Sequence, residues 1–133
     1  MSTTSSATAG SLEPPYRHLD VERRDDVWSA RLRQTQLDEP SVHELGNELL
    51  TLVDTEGCRK LVLILGPDEL VCLYSVLLSK LVTLQKHLNA VGGGLKLAEV
   101  GPATLSIFEA CRLSALFDFA PDRASAIAGF SNQ

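Results

Sequence analysis

The sequence predicts an α/β fold, a mixed β-sheet of four to five strands covered by about four helices. Extended and helical signals alternate along the chain as strand, strand, helix, strand, helix, strand, helix and helix, and a helix between two strands is the crossover that parallel pairing requires. Lys60–Leu65, KLVLIL, is a continuous apolar run bounded by Gly57 and by Gly66 and Pro67, the pattern of a strand covered on both faces. On either side of that run leucines recur at three- and four-residue spacings, the period of a helix with one buried stripe.

The elements follow in order. Residues 1–15, MSTTSSATAGSLEPP, are nearly all Ser, Thr, Ala, Gly and Pro. So little apolar mass does not offset the entropy of ordering, and a disordered tail is expected ahead of a single domain over 16–133. Leu19–Arg23 and Val27–Gln34 flank a turn at the self-neutralising Arg23–Asp26, and Trp28, Ala30 and Leu32 alternate with Val27, Ser29, Arg31 and Arg33, a half-buried hairpin. Ser41 and Glu44 form an S-x-x-E capping box, so a helix starts there with Val42, Leu45, Leu49, Leu52 and Val53 as its stripe and Gly57 as its left-handed stop. After the buried strand, Leu77, Leu81, Leu84, Leu88 and Val91 form a second seam that Gly92–Gly94 ends. Leu95 and Leu97 oppose Lys96 and Ala98 in a strand with one less buried face. Pro102 opens a helix striped by Leu105, Phe108 and Cys111. Leu116–Phe119 is a short extended segment, and Pro121 with Asp122 opens a terminal helix packing Ile127 and Phe130.

Composition excludes several functions. The chain of 133 residues carries a net charge of −5 with its Lys and Arg scattered, so the basic footprint of a nucleic-acid binder is missing. No basic segment precedes an apolar run at the start and no apolar run reaches bilayer-spanning length, which leads us to expect a soluble, cytoplasmic protein without a membrane partner. Three cysteines, Cys58, Cys72 and Cys111, share no metal-ligand spacing, so neither a metal nor a cofactor is expected.

Single residues offer little chemistry. His43 sits beside the capping box, His87 off the leucine seam and His18 in the first strand, all reading as solvated side chains rather than bases. Cys72 has apolar neighbours that raise a thiol pKa instead of activating it. Gly92–Gly94 follow a helix where a phosphate loop precedes one. With no convergent acid, base and nucleophile, an enzyme is not expected.

Two long segments carry a resemblance. KLVTLQKHLNAVGGGLKLAEVGPATLSIFEACRLSALFDF, from Lys80 to Phe119, resembles the C-terminal half of a STAS domain, the fold of bacterial anti-sigma-factor antagonists. LDEPSVHELGNELLTLVDTEGCRKLVLIL, from Leu37 to Leu65, resembles its strand-helix-strand half. The likeness spans roughly Arg17–Phe130 and implies a regulatory protein-binding domain. Its expected partner is an anti-sigma factor or serine/threonine kinase, and its expected output is control of sigma-dependent transcription.

The family switches its contact by phosphorylating a serine within a pattern close to DSSGLG, at the amino end of the helix after the buried strand. Aligned on KLVTLQKHL, that pattern falls on YSVLLS, Tyr74–Ser79, where only Ser75 is unchanged and Leu77 and Ser79 replace the glycines. Aligned without a gap from KLVLIL it falls about two residues earlier, on Cys72 and Leu73, so the resemblance implies an insertion around Gly66–Glu69. Ser75 is therefore the phosphorylation candidate. Leu73, Tyr74, Ser75, Val76, Leu78 and Ser79 are the partner-binding candidates, with Leu73, Tyr74 and Leu78 expected to be exposed apolar anchors of a permanent contact. Asp38 and Glu39, at the corner where the family's partner surface lies, join them, although as paired carboxylates they also read as the lead-in to a helix. Two alternatives stay open at this point. Asp68 is placed to cap one long helix from Glu69 to Ala90, which would leave Ser75 an ordinary mid-helix residue. A sensory or scaffold domain that binds a small ligand or protein without phosphorylation is the rival function.

Overall fold

The computed structural model describes residues 16–131, so the expected tail over 1–15 lies outside the described residues. The elements are β1 (Leu19–Arg24), β2 (Val27–Leu32), α1 (Glu39–Asp54), β3 (Lys60–Ile64), α2 (Tyr74–Ala90), β4 (Gly94–Ala98), α3 (Pro102–Ala110), β5 (Asp118–Ala120) and α4 (Arg123–Ser131). One five-stranded sheet runs β1-β2-β3-β4-β5, with β1 antiparallel to β2 and every later pair parallel. This is the mixed, helix-covered sheet expected from the alternation of signals.

Alternation along β3 and β4 divides the core. Leu61, Leu63, Leu95 and Leu97 face the leucine seams of α1 and α2 together with Phe108 of α3. Val62, Ile64 and Ala98 face Ala126 and Phe130 of α4 on the other side. The seams are those read from the sequence: Leu45, Leu49 and Leu52 on α1 and Leu77, Leu81, Leu84 and Leu88 on α2 are all buried. At ~1.5–3 kcal/mol per fully buried leucine they dominate the stability of this face.

Several boundaries differ from expectation, each for a local reason. Helix α1 begins at Glu39, ahead of Ser41, because Asp38 is extended (φ −78°, ψ 173°) and its carboxylate accepts the Ser41 N–H at 2.9 Å. Pro40 in the first turn, with φ already helical and no N–H to satisfy, permits that earlier start. Glu44, freed from a capping box, takes the His18 ring at 2.8 Å. β2 is nearly all buried instead of half-buried, because the α4 face covers Val27. The same face buries Ala98, expected on the more open side of β4. Val91 lies past the end of α2 and is 42% exposed, so the seam ends at Leu88. On α3, Thr104 and Phe108 are the buried positions while Leu105 is half-buried and Cys111 exposed.

The long helix from Glu69 does not form. Val71 pairs in an isolated parallel bridge with Gln36: its N–H donates to the Thr35 carbonyl at 2.6 Å and its carbonyl accepts the Leu37 N–H at 2.9 Å. That extended pairing is incompatible with helix, so α2 waits until Tyr74.

Candidate functional site

β2, β3 and β4 are parallel, so their carboxyl ends and the amino ends of α1, α2 and α3 lie together at one edge of the sheet. In open α/β sheets this is the edge where binding sites form. An ion pair ties the strand ends. Arg31 on β2 donates to both carboxylate oxygens of Glu99 at 3.1 Å and to the Gly66 carbonyl at 2.8 Å. Glu99 holds a left-handed φ of 55°, and a side chain at Gly66 would place its Cβ 2.2 Å from the Glu99 carbonyl oxygen, so only glycine fits there.

The segment from Pro67 to Leu73 is pinned from two sides. The Val71 bridge holds it to the lead-in of α1. On the other side the Glu69 carboxylate reaches over Gly101, accepting the Thr104 hydroxyl at 3.3 Å and the Ala103 N–H at 3.4 Å. Tyr74 completes this corner. Its hydroxyl donates to the Leu70 carbonyl and lies 2.8 Å from the Thr104 hydroxyl, and burial raises its pKa.

The helix starts differ in one respect. A carboxylate meets the first-turn amides of α1 (Asp38), α3 (Glu69) and α4, where Asp122 accepts the Ser125 N–H at 2.8 Å. Leu73 stands at the cap of α2 and no side chain bonds its first turn. The positive end of the α2 dipole is therefore uncompensated among the described residues. Ser75, the second residue of α2, is exposed there, with Val71 58% and Leu73 46% exposed just before it.

The residues expected to meet a partner thus separate. Leu73, Ser75 and Ser79 are exposed, Val76 is half-buried, and Asp38 and Glu39 are exposed at the neighbouring helix start. Tyr74 and Leu78 are not exposed anchors. Tyr74 turns inward to Thr104, and Leu78 is 6% exposed in the core because it falls beside Leu77 on the buried side of α2. Val71 supplies the exposed apolar surface in their place. Glu69 was silent in the sequence as a cap, since its partners on α3 lie 34 and 35 residues away. Cys72 is half-buried, and desolvation pushes its thiol up to about 11, which leaves it unreactive as a nucleophile.

No protein-family model matches the chain, and no curated protein matches it in sequence. Solved structures do match. An anti-sigma-factor antagonist (STAS) domain protein from Planctomyces limnophilus superposes with a TM-score of 0.74 at 16% identity, over 85% of this chain and 97% of the other. An anti-sigma factor antagonist from Mycobacterium paratuberculosis gives 0.69 at 21% identity, over 85% and 92%. The phosphorylated form of the Bacillus cell fate determinant SpoIIAA gives 0.62 at 18% identity, over 84% and 97%. The chain has the STAS fold.

Proposed function

We propose that this domain is a non-enzymatic regulator of the anti-sigma-factor-antagonist kind. It docks an anti-sigma factor or serine/threonine kinase through the amino end of α2, and so controls sigma-dependent transcription. The observation that carries the reading is the conjunction at that end: an uncapped helix start, an exposed Ser75 at its second position, and exposed Val71 and Leu73 beside it. The solved SpoIIAA in phosphorylated form shares the fold and supports assigning a phosphate to this chain, on Ser75.

The physics runs through two terms. Val71 and Leu73 bring apolar area that a partner buries, framed by Asp38, Glu39 and Ser79. A phosphate on Ser75 adds about two negative charges, which the free amides and dipole of α2 accommodate within the domain. The same charges at the docking surface repel an acidic or closely fitted partner, so phosphorylation releases the contact.

Purification from the native cell tests both parts. Intact mass with and without phosphatase reads the switch, and a phosphate mapped to Ser75 whose presence abolishes copurification of a kinase or anti-sigma factor is the expected result. Copurification with Ser75 unmodified under every growth condition would leave docking and remove the switch. Abundant folded protein with neither partner nor phosphate overturns the reading.

A further inference from the structure

The amino end of α3 is capped by a residue of the Pro67–Leu73 loop. Its own cap position is Gly101, which brings no side chain to the first turn although its backbone, at φ −70° and ψ 161°, is one that any residue adopts. A serine or aspartate there would cap the helix locally. Instead the Glu69 carboxylate reaches over to the Ala103 N–H and the Thr104 hydroxyl, and it fills the space a side chain at this position would need: a Cβ on Gly101 would lie 2.5 Å from Glu69 Oε1.

Thr104 ties this cap to the loop a second time. It is 1% exposed, and its hydroxyl lies between Glu69 Oε1 at 3.3 Å and the Tyr74 hydroxyl at 2.8 Å, which in turn holds the Leu70 carbonyl. Two consecutive loop residues, Glu69 by its side chain and Leu70 by its carbonyl, are thereby fixed to one buried hydroxyl on α3. The next residue is Val71, and Leu73 follows two further on. Burial of the Leu70 side chain also fastens the loop, but apolar burial is non-directional, and the bridge at Val71 ties only the side facing the lead-in of α1. The hydrogen bonds to Thr104 supply direction on the other side, because breaking one leaves a buried polar group unpaired.

We propose that Thr104, Glu69 and Tyr74 are positioning residues for the docking surface: they latch the loop to α3 and hold Val71 and Leu73 in the outward arrangement that a partner meets. This role presupposes the docking proposed above. Coupling of this kind is reciprocal, so a partner that clamps the loop also steadies the start of α3.

Three changes to the full chain test it. Gly101→Ser gives α3 a local cap while its Cβ displaces the Glu69 carboxylate, Thr104→Val removes the buried hydroxyl at nearly constant volume, and Thr104→Ser keeps that hydroxyl. Hydrogen exchange at the Val71 and Leu37 amides, the two donors of the bridge, reads the loop, and exchange at Leu61 and Leu63 on β3 reads global unfolding. Affinity for the anti-sigma factor or kinase that copurifies with the parent chain reads the presentation of Val71 and Leu73. Gly101→Ser and Thr104→Val are expected to speed exchange at Val71 and Leu37 roughly three- to tenfold beyond any change on β3, and to weaken partner binding by a similar factor, while Thr104→Ser restores both. Gly101→Ser is the sharper arm, since α3 stays capped and the urea midpoint stays near that of the parent, so lost stability does not account for lost binding. Exchange that rises no more at Val71 than at Leu61 and Leu63 would overturn the latch. Loop release with unchanged partner affinity would overturn the positioning role and leave docking standing. A parent chain that binds neither kind of partner removes the docking reading itself, and the positioning role with it, whatever the exchange shows.

Discussion

Helices α1 and α2 leave the same edge of the sheet, lie against each other on one face, and bury leucine seams of the same kind, yet their first turns are built in opposite ways. α1 begins with a polar cap, an acidic residue and a proline, each of which lowers the free energy of a helix start. α2 begins with Leu73 at the cap and no acid in its first turn. The difference is not one of helix quality, since the bodies are matched. α1 has its amino end met by a side chain of the domain, whereas the first turn of α2 has no side-chain cap and lies beside two exposed aliphatic side chains, Val71 and Leu73.

The largest effect tests the premise that the bodies are alike. Leu49→Ala on α1 and Leu81→Ala on α2 remove side chains that are 1% and 0% exposed, and each is expected to cost ~2–5 kcal/mol in urea unfolding. Values that differ by more than that range would show that the helices are unequal throughout, and the contrast at their starts would lose its meaning.

The next substitution acts on the contrast itself. Leu73→Asp puts at α2 the cap that Asp38 gives α1 and is expected to stabilise the domain by about 0.5–1 kcal/mol while abolishing partner binding. Stability and function then move in opposite directions from one change, the signature of a residue kept for docking. If stability falls, the first turn of α2 is already satisfied and the comparison breaks.

A smaller effect separates the two dipoles. Ser75→Glu introduces a negative charge into an uncompensated first turn and is expected to add ~0.3–1 kcal/mol at low ionic strength, fading as salt screens it. Ser41→Glu makes the same change in α1, beside Asp38 and Glu39, and is expected to add nothing. Equal gains at both sites would mean that the existing carboxylates at α1 leave its dipole as open as that of α2.

These contrasts were legible in the sequence to different depths. The seams and KLVLIL announce themselves because period and run length are local properties that packing then confirms. The cap of α1 was visible as a polar cluster but misread by three residues, since both Asp38 and Ser41 satisfy the capping rule and only the backbone at Pro40 decides between them. The start of α2 was ambiguous because Leu70, Leu73 and Leu77 keep helical spacing straight through the loop. What stops the helix is the pairing of Val71 with Thr35 and Leu37, more than thirty residues upstream, and no window of sequence displays it. Burial of the second face of β2 was hidden for the same reason, as Val27 clusters with Ala126 and Phe130 of α4, at the far end of the sequence.

The smallest expected effect concerns acid. Asp38 has its pKa lowered from the ordinary 3.8 by the hydrogen bonds it accepts from Ser41, side chain first and backbone second. A carboxyl that ionises more readily in the folded state than in the unfolded chain stabilises the fold at every pH above its unfolded value. The contribution drains away as pH falls below about 3.8 through the depressed folded value. Asp26, bonded to Lys60, and Asp122, bonded to Ser125, shift in the same direction, so the acid limb of the whole protein belongs to three carboxyls at least. Asp38→Asn isolates one of them, because asparagine still caps a helix but does not titrate. Urea midpoints of the two proteins are expected to run parallel above pH 5 and to converge as the pH falls towards 2, the parent losing its advantage over the variant. α2 has no carboxyl in its first turn, so adding Leu73→Asp gives its start an acid-sensitive group of its own and steepens the limb. A limb that is unchanged by Asp38→Asn would place the acid sensitivity of the fold in Asp26 and Asp122, and would remove the electrostatic half of the contrast between the two helix starts.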